Sequence, residues 1–394
     1  MGVLSNWFNN CESGVNAIVE FLINNESFNQ AISDVSKAVS VKTPFPILSG
    51  IKINAYNDSL ILVGSNSDIV IEKVIPLKIE GIQVLEVYET GSIVISAKYL
   101  SEIVKKLPGK IHVKVTEKQL VTLKSDEIIT TLHGFNAEEY PSLPRIDEDK
   151  YLKISNQKLI ETIKQTAFAT SKSESRPVLT PVNMSFKENQ LTCVGTNSQR
   201  LALKELKIES NIYGTFNVPR TSLNELTKLM NNDTEIIHIF VTDSYMVFKS
   251  NNTSLFSRLI EGNYPNITRL LPTNSKTMIT LDTQQLLKGI DRACLFSSEW
   301  KNNNVHLNIK DDGKLKISST SSEIGKIEET QTIKAIDGET DLNISLDGSF
   351  LMDALKVIKE EEIKISFNGS MRPVLIEPID NSSYLHLISP VRSY

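Results

Sequence analysis

The sequence predicts an α+β protein built from three homologous domains in tandem, and two sets of repeated segments indicate this organisation. Thr90–Pro108, Tyr213–Asn231 and Asp341–Lys359 each read as a short β-rich run, a polar residue that can cap a helix, and an amphipathic helix. The dipeptide Tyr140-Pro141 recurs as Tyr264-Pro265. This spacing of about 125 residues is the size of a whole domain, not of a solenoid repeat.

A third repeated feature is a polar segment that follows a β-like run in each domain, at Ser65–Asp68, Thr196–Gln199 and Ser319–Ser322. With the other repeats it sets the expected domains at 20–145, 146–272 and 273–394. The leader, residues 1–19, contains no lysine, no helical period and no secretory signal pattern, and we expect it to be disordered.

Each domain has the order helix, several strands, helix, several strands. In the first domain the helical pattern covers 27–40 and 97–107, and alternating apolar runs lie at 47–55, 60–64, 69–75, 92–95, 111–116, 119–124 and 128–133. Tight turns join successive runs, so the sheets should be antiparallel, and the helices should cover one face of them. Each domain is therefore a double β-α-β-β-β unit. Six such units would curve into an arc with sheets outside and helices inside, and two arcs would close a ring-shaped homodimer.

The composition excludes several other classes of protein. A hydrophobic content of 40% and a charged content of 23% are typical of a globular protein with a proper core. Three scattered cysteines are too few for a disulfide framework or a zinc site, and no apolar run reaches the roughly 18 residues of a membrane span. Phosphate-loop, Gly-x-Ser-x-Gly and His-Glu-x-x-His motifs are absent. We therefore expect no catalytic activity, no metal, no cofactor and no membrane contact, and a cytoplasmic location.

The distribution of lysine qualifies the net charge of −5, which by itself argues against nucleic acid as a partner. In all six expected helices a basic residue lies opposite the apolar stripe. For any one helix, lysine for solubility is a sufficient explanation. Six similar helices on one side would instead form a basic lining for a polyanion. The candidate residues are Lys37, Lys98, Lys105, Lys158, Lys228, Lys288, Arg292 and Lys356.

Six segments carry a family resemblance. They are Lys42–Gly50, Gly64–Pro76, Thr196–Leu203, Ser257–Pro272, Arg372–Pro378 and Ile388–Tyr394. Together they resemble the bacterial DNA polymerase III beta subunit family, the sliding clamps, in its low-GC Gram-positive form. The resemblance implies the DNA clamp fold and a head-to-tail homodimer that encircles duplex DNA without base readout and confers processivity. It also adds Lys42 and Lys172 to the candidate DNA-facing residues.

The resemblance further implies a pocket between the second and third domains. It would bind short, mostly apolar peptides of DNA polymerase and repair proteins, and a clamp loader would be a further partner. Its expected wall is Arg176, Leu179, Thr196, Ser198, Gln199, Arg200, Leu201, Pro265, Arg269, Leu270, Met371, Arg372, Pro373, Leu387, Ser389, Pro390, Val391 and Arg392. Apolar side chains would form its sides, and arginines and hydroxyls would orient the peptide. Core packing is the simpler explanation for any single apolar member.

The dimer seam implied by the resemblance places Leu295 and Phe296 of one copy against Leu132 of the other, where Thr130 stands in a position that is usually aromatic. The chain also has Asn197 and Gln199 in place of the usual Asp and His, and a small Ser389 in place of a larger apolar residue. Three roles stay open at this point: the main replicative clamp, a divergent accessory clamp, or a scaffold that binds clamp-motif peptides without meeting DNA.

Overall fold

The computed structural model describes residues 19–40, 45–148, 150–230, 236–267, 269–272, 274–296, 304–310, 312–323 and 325–391. These residues form two compact units. Unit one comprises the described chain through Asp147 together with His238–Arg258, and unit two comprises Glu148–Ile237 and the described chain from Leu259 onward. The expected second domain is divided between the units, so our domain boundaries stay a prediction.

Six α-helices occur in the described residues, where the amphipathic patterns predicted them. They are α1 (Asn25–Ser36), α2 (Ala97–Val104), α3 (Asn156–Thr166), α4 (Arg220–Leu229), α5 (Thr283–Cys294) and α6 (Gly348–Val357). Polar residues begin three of them: the side chains of Asn24, Asp282 and Asp347 accept hydrogen bonds from first-turn N–H groups of α1, α5 and α6. Among the described helices, none has the length and hydropathy that a bilayer crossing requires.

The aromatic residue of α2 faces solvent. Tyr99 lies within the helical pattern of 97–107, but its side chain does not pack inward and is 58% exposed. The buried stripe of α2 consists of Ala97, Leu100 and Val104, which recur at the three- and four-residue spacing of a helical face. Tyr99 lies beside that stripe and faces Lys98, whose Nζ is 5.7 Å from the ring centroid.

The strands alternate with the helices along the whole described chain. The first eleven are β1 (Val19–Asn24), β2 (Gly50–Tyr56), β3 (Ser59–Ser65), β4 (Ile69–Pro76), β5 (Lys78–Ile79), β6 (Ile82–Gln83), β7 (Leu85–Glu89), β8 (Gly91–Ser96), β9 (Lys110–Val115), β10 (Leu120–Ser125) and β11 (Ile128–Phe135). The next eight are β12 (Leu152–Ser155), β13 (Pro181–Lys187), β14 (Gln190–Thr196), β15 (Arg200–Lys207), β16 (Gly214–Pro219), β17 (Ile236–Val241), β18 (Tyr245–Ser250) and β19 (Thr253–Arg258). The last nine are β20 (Thr277–Asp282), β21 (Asn304–Lys310), β22 (Lys314–Ser321), β23 (Gly325–Thr332), β24 (Ala335–Gly338), β25 (Leu342–Asp347), β26 (Glu362–Phe367), β27 (Val374–Pro378) and β28 (Tyr384–Ile388).

Unit one contains a long antiparallel sheet in the order β17-β18-β19-β4-β3-β2-β8-β11-β10-β9-β1-β7, and β5 and β6 form a separate hairpin. Strand β1, which lies between β7 and β9, was not predicted from the sequence. Its alternate residues Val19, Phe21 and Ile23 are fully buried. Val19 therefore belongs to the folded unit and not to the expected leader, because three apolar residues at a period of two bury one face of a strand.

Unit two contains a nine-stranded sheet, β16-β13-β14-β15-β28-β27-β26-β20-β24, and a four-stranded sheet, β23-β22-β21-β25. The pairings described in both units are antiparallel, as the tight turns predicted. A large core of buried aliphatic residues joins α5 and α6 to these sheets, with Leu286, Leu307 and Leu355 among its members. The α+β fold with antiparallel sheets is confirmed.

Candidate peptide-binding face and DNA-facing helices

An apolar surface lies where β15 pairs with β28 in unit two. Arg200 is opposite Ile388 and Lys204 is opposite Tyr384 in this antiparallel pair. Because side chains alternate along a strand, the odd-numbered residues between these positions share the other face. That face carries Leu201, Leu203, Leu385 and Leu387, which form one cluster with Leu375 of β27 and Val194 of β14. We call Leu201, Leu203, Leu375, Leu385 and Leu387 the leucine face.

Leu201, Leu203 and Leu387 of the leucine face are buried, whereas Leu375 and Leu385 are half-buried and reach solvent. Tyr264 and Ile267 pack against the leucine face, and the Tyr264 hydroxyl donates a hydrogen bond to the carbonyl of Val194 at 3.2 Å. Burial raises the pKa of Tyr264, which keeps that hydroxyl protonated as a donor. Leu270 and Met371, from segments that adjoin residues of the cluster, are 51% and 58% exposed. Large exposed apolar side chains in segments that adjoin a partly exposed apolar cluster are typical of a binding site.

A rigid turn leads into β15. The Thr196 hydroxyl donates to the carbonyl of Arg200 at 2.6 Å, and the Asn197 side-chain oxygen accepts from the backbone N–H groups of Gln199 and Arg200 at 3.0 and 2.9 Å. The amide oxygen of Asn197 thus makes the bonds that a carboxylate would make here, which is a physical reason why Asn replaces the usual Asp. The N–H of Ser389 donates to the carbonyl of Gln199 at 2.8 Å and ties the segment after β28 to this turn.

Arg200 does not lie where we expected it. Its side chain is 7% exposed and points away from the leucine face. Its Nη1 donates to Asp353 Oδ2 at 2.7 Å, and its Nη2 donates to the carbonyl of Phe168 at 2.7 Å. The guanidinium also lies over the ring of Phe350, 4.4 Å from the centroid. Alternation along β15 requires this, since Leu201 takes the opposite face.

The other expected pocket residues differ in exposure. Leu179, Thr196, Leu201 and Leu387 are buried; Pro373, Ser389, Pro390 and Val391 are half-buried; Arg176, Ser198, Gln199, Pro265, Arg269, Leu270, Met371 and Arg372 are exposed; and Arg392 lies outside the described residues. Leu201 and Leu387 meet in the leucine face. Leu203, Leu375 and Leu385 were not predicted from the sequence. The period of two from Leu201 and Leu387 would have identified Leu203 and Leu385.

Beneath the leucine face, on the other side of β15 and β28, lie Arg200, Lys204, Tyr384 and His386, which we call the polar layer. His386 Nε2 is 2.5 Å from the Tyr384 hydroxyl, and Lys204 Nζ donates to Ser383 Oγ at 3.1 Å. Burial, and secondarily the charge of Arg200, lowers the pKa of His386 to about 3. Burial also lowers the pKa of Lys204. His386 is therefore neutral at physiological pH.

The candidate DNA-facing residues are mostly exposed. Lys98, Lys105, Lys158, Lys172, Lys228, Lys288, Arg292 and Lys356 are exposed, Lys37 is half-buried, and Lys42 lies outside the described residues. The prediction that these helices present basic side chains to solvent agrees with this exposure. Their convergence on one surface stays a prediction.

Four of these cations already have a carboxylate partner. Lys37 pairs with Asp34 at 2.8 Å, Lys105 with Glu102 at 3.9 Å and Lys228 with Glu225 at 2.7 Å, in each case three residues apart within a helix or across its C-terminal end. Arg292 donates two hydrogen bonds of 2.7 Å to Glu329 of β23. Within the described ranges no ion pair involves Lys98, Lys158, Lys172, Lys288 or Lys356, so these five are the stronger candidates for phosphate contacts.

The candidate dimer residues lie near two strand edges. Leu295, just after α5, is 69% exposed, and Phe296 and Leu132 are half-buried. In the described residues of unit two, β23 pairs with β22 on one side and leaves its other edge open. β11 meets β8 only at Gly134 and Phe135. An open edge beside exposed apolar residues can pair with another chain.

Family comparisons cover almost the whole chain. Models of the DNA polymerase III beta subunit match its N-terminal domain at residues 19–144, its central domain at 153–266 and its C-terminal domain at 268–392. The chain belongs to the DNA polymerase III beta subunit family, the bacterial sliding clamps. The family resemblance predicted from the sequence is confirmed.

Individual relatives agree with this family. The chain is 41% identical over 379 residues to the beta sliding clamp of Bacillus subtilis (strain 168), covering 95% of this chain and 100% of the relative. It is 39% identical over 380 residues to that of Staphylococcus aureus (strain Mu50), covering 96% and 100%. The crystal structure of the Bacillus subtilis clamp superposes with a TM-score of 0.93 at 41% identity, covering 95% and 100%. That of the Streptococcus pneumoniae beta chain superposes with 0.91 at 36% identity, covering 95% and 100%.

Proposed function

We propose that two copies of this chain close a ring around duplex DNA and tether DNA polymerase III and repair proteins to it. In this role the chain is a non-catalytic processivity factor of the bacterial cytoplasm, placed on DNA by a clamp loader. The half-covered leucine face carries the proposal, because it offers an apolar site within a chain of the clamp family. The deciding experiment is retention: the loaded protein should stay on circular DNA and leave once the circle is cut. Equal retention on cut circles would contradict it.

The leucine face supports binding of a linear peptide that carries Gln and a Leu-Phe pair. The leucines offer apolar contact, and Leu270 and Met371, from segments adjoining residues of the cluster, add exposed apolar groups. A short peptide must be ordered on binding, so the affinity should be modest, near micromolar, or about −8 kcal/mol.

Calorimetry on three variants tests this site. Met371→Ala should weaken peptide binding several-fold without unfolding the protein, because Met371 is largely exposed. Ser389→Leu should tighten it several-fold, since each added methylene-scale contact contributes about 0.8 kcal/mol. Ile379→Ala, which removes an exposed apolar side chain that is not part of the leucine face, is the control. If Met371→Ala bound the peptide as the parent does, the peptide site would lie elsewhere.

The exposed helical lysines support sequence-independent contact with phosphates. Removing Lys158, Lys288 and Lys356 together should reduce retention on DNA. It should also flatten the salt dependence, by roughly 0.9 in the logarithmic slope for each phosphate that is no longer neutralised. The matched control removes Lys187, Lys207 and Lys314, three exposed lysines on strands. Equal effects of the two triple variants would refute a specific DNA-facing role. A scaffold that never meets DNA would show no salt-dependent binding in any of them.

The homodimer should form through β11 and β23. Leu295→Glu should give monomers in light scattering at micromolar concentration, because burying an unpaired charge costs several kcal/mol. Exposed Ile336→Glu on β24 is the control and should leave the dimer intact. A monomeric parent protein at this concentration would contradict the proposal.

The internal junction of unit one predicts the register of that seam. There Leu255 of β19 lies opposite Ile71 of β4. Thr130 of β11 corresponds to Leu255, and Ile327 of β23 corresponds to Ile71, by their positions in equivalent hairpins. Cysteines at Thr130 and Ile327 should therefore cross-link two copies. Cysteines at Thr131 and Ile327 should not, because Thr131 points to the other face.

A further inference from the structure

We propose that Asp353 of α6 is a positioning residue for the leucine face, and that it acts through Arg200. This inference rests on the proposed peptide-binding function. Asp353 is not itself part of the leucine face. It makes an ion pair with Arg200, whose neighbour Leu201 is part of that face.

The buried surroundings of the Arg200 guanidinium make its position depend on the carboxylate of Asp353. The guanidinium is buried, and its carbon lies 5.3 Å from the centroid of the Phe168 ring and 4.4 Å from that of the Phe350 ring. Its described acceptors are the Asp353 carboxylate and the carbonyl of Phe168, both at 2.7 Å. Asp353 is thus its counter-ion. A buried guanidinium that loses its counter-ion is strongly unfavourable, so removing this carboxylate should displace the side chain.

Displacement of Arg200 would reach the leucine face through the backbone. The Arg200 N–H donates to Asn197 and its carbonyl accepts from Thr196, so the turn and the start of β15 form one hydrogen-bonded unit. The next residue, Leu201, lies opposite Leu387 in the β15–β28 pair. A shift of Arg200 therefore changes where Leu201 lies relative to Leu387, which is the spacing that an apolar peptide anchor would meet.

The ion pair also gives the strand a fixed attachment to a helix. Phe168 follows α3 and Asp353 lies in α6, so Arg200 joins β15 to both helical segments. Lys204, further along the same face of the strand, donates its hydrogen bond to Ser383 near the start of β28 instead. Loss of Asp353 should consequently act on the Arg200 end of the leucine face.

A double-mutant cycle tests the inference, with the peptide carrying Gln and a Leu-Phe pair as the probe. Asp353→Asn keeps the shape of the side chain and an oxygen acceptor but removes the negative charge, and it should weaken peptide binding about tenfold because the buried guanidinium is no longer neutralised. Arg200→Met should weaken binding to a similar extent. In the Arg200→Met background, Asp353→Asn should have less than about a twofold further effect, because no guanidinium remains to be held. Asp353→Glu should restore part of the affinity.

The outcomes separate positioning from general destabilisation. Glu225→Gln, which removes a carboxylate from α4 where it pairs with Lys228, is the charge control and should leave affinity unchanged. Additive effects of the two substitutions, or parental affinity of Asp353→Asn, would overturn the positioning role while leaving the peptide site intact. A parent protein that does not bind the peptide would overturn the proposed function itself. If Asp353→Asn fails to fold, Asp353→Glu in both Arg200 backgrounds completes the cycle.

Discussion

Two sheet junctions in the molecule share one construction and differ in what covers them. In unit one, β4 pairs with β19, and the Tyr140 hydroxyl donates to the carbonyl of Val63 at 3.4 Å. In unit two, β15 pairs with β28, and Tyr264 donates to Val194 at 3.2 Å. The Tyr-Pro repeat seen in the sequence is thus a repeated hydrogen bond between a loop and an inner strand of a sheet, β3 in unit one and β14 in unit two.

The covering differs because the side chains differ. Across the paired strands of unit one, the outer face reads Phe240, Val247, Phe256 and Val70. The corresponding row in unit two reads Ser366, Leu375, Leu387 and Leu201. All four members are buried in unit one, where Leu143 and Ile146 also pack on them. In unit two Ser366, Leu387 and Leu201 are also buried, and Leu375 is the member of the row that stays half-buried. The candidate binding site therefore corresponds to the fully buried row of unit one, and it reaches solvent at Leu375.

The opposite faces of the two junctions differ in the reverse sense. Under β4 lie Ile69 and Ile71, both buried and apolar. At the corresponding places under β15 lie Arg200 and Ala202, and His386 takes the place of Leu255. Unit one thus uses hydrophobic burial on both faces of its junction. In unit two, hydrogen bonds and ion pairs stabilise the polar layer on one face of these strands. The apolar residues are therefore concentrated on the other face, the leucine face.

The largest expected effect comes from imposing the unit two residue on unit one. Phe240→Ser should lower the free energy of unfolding by about 4 kcal/mol, because it removes a buried aromatic side chain and leaves a cavity. Ser366→Phe makes the converse change in the corresponding row of unit two and is the variant matched to Phe240→Ser. Urea denaturation measures both. A loss below about 1 kcal/mol for Phe240→Ser would show that the closed row does not stabilise unit one.

Substitution of two glycines should affect both junctions alike. A Cβ at Gly64 would lie 2.2 Å from the carbonyl oxygen of Val35, and one at Gly195 would lie 2.2 Å from that of Thr166. Backbone cannot yield as a side chain can, so Gly64→Ala and Gly195→Ala should each cost about 3 kcal/mol. Gly313→Ala is the control for the added methyl group, because a Cβ there would meet open space. The positive φ of Gly313 strains an alanine, so this control measures backbone strain without a clash. Unequal losses at Gly64 and Gly195 would limit the equivalence of the two junctions.

Acid should destabilise unit two through its polar layer. The unfolded chain binds a proton on His386 with a pKa near 6.5, whereas the folded chain binds it with a pKa of only about 3. Between these values the unfolded state holds more protons, so stability falls as the pH drops from 6.5 towards 3. This term amounts to about 2 to 3 kcal/mol at a pH of about 4.5. His386→Leu, which installs the residue of unit one, should flatten the dependence. Parallel stability curves of the two proteins would exclude it.

The smallest effect concerns a pair of corresponding residues, Ile146 and Leu270. Ile146 packs against the buried row of unit one, whereas Leu270 is half-exposed. Ile146→Ala should lower stability by about 2 kcal/mol and leave peptide affinity unchanged. Leu270→Ala should barely change stability and should weaken the peptide about threefold, a fraction of one buried side chain. The opposite assignment of these two effects would refute the comparison.

Much of the fold could be predicted because its signals are local. The six helices follow from a period of 3.6 and most strands of unit one from a period of two. The predicted end of the leader was wrong at Val19. Strand β1 is short, and its pairing with β7 and β9 exists only in the tertiary structure. The orientation of the Arg200 side chain could not be predicted for the same reason, because its partner Asp353 is 153 positions away in the chain. Part of the leucine face could be predicted. Strand alternation identifies further members once Leu201 is known, but the local sequence does not show that β15 pairs with β28.

The ion pairs on the helices bear on how fast such a ring would move. Four cations could re-form an ion pair with a carboxylate each time they release a phosphate: Lys37, Lys105, Lys228 and Arg292. Exchange between two anionic partners of similar strength leaves little net energy to overcome at each step along the duplex. On the proposed inner surface, the paired cations would therefore keep the energy profile of translocation shallow. The five lysines that make no ion pair within the described part of the chain would set how long the ring stays bound.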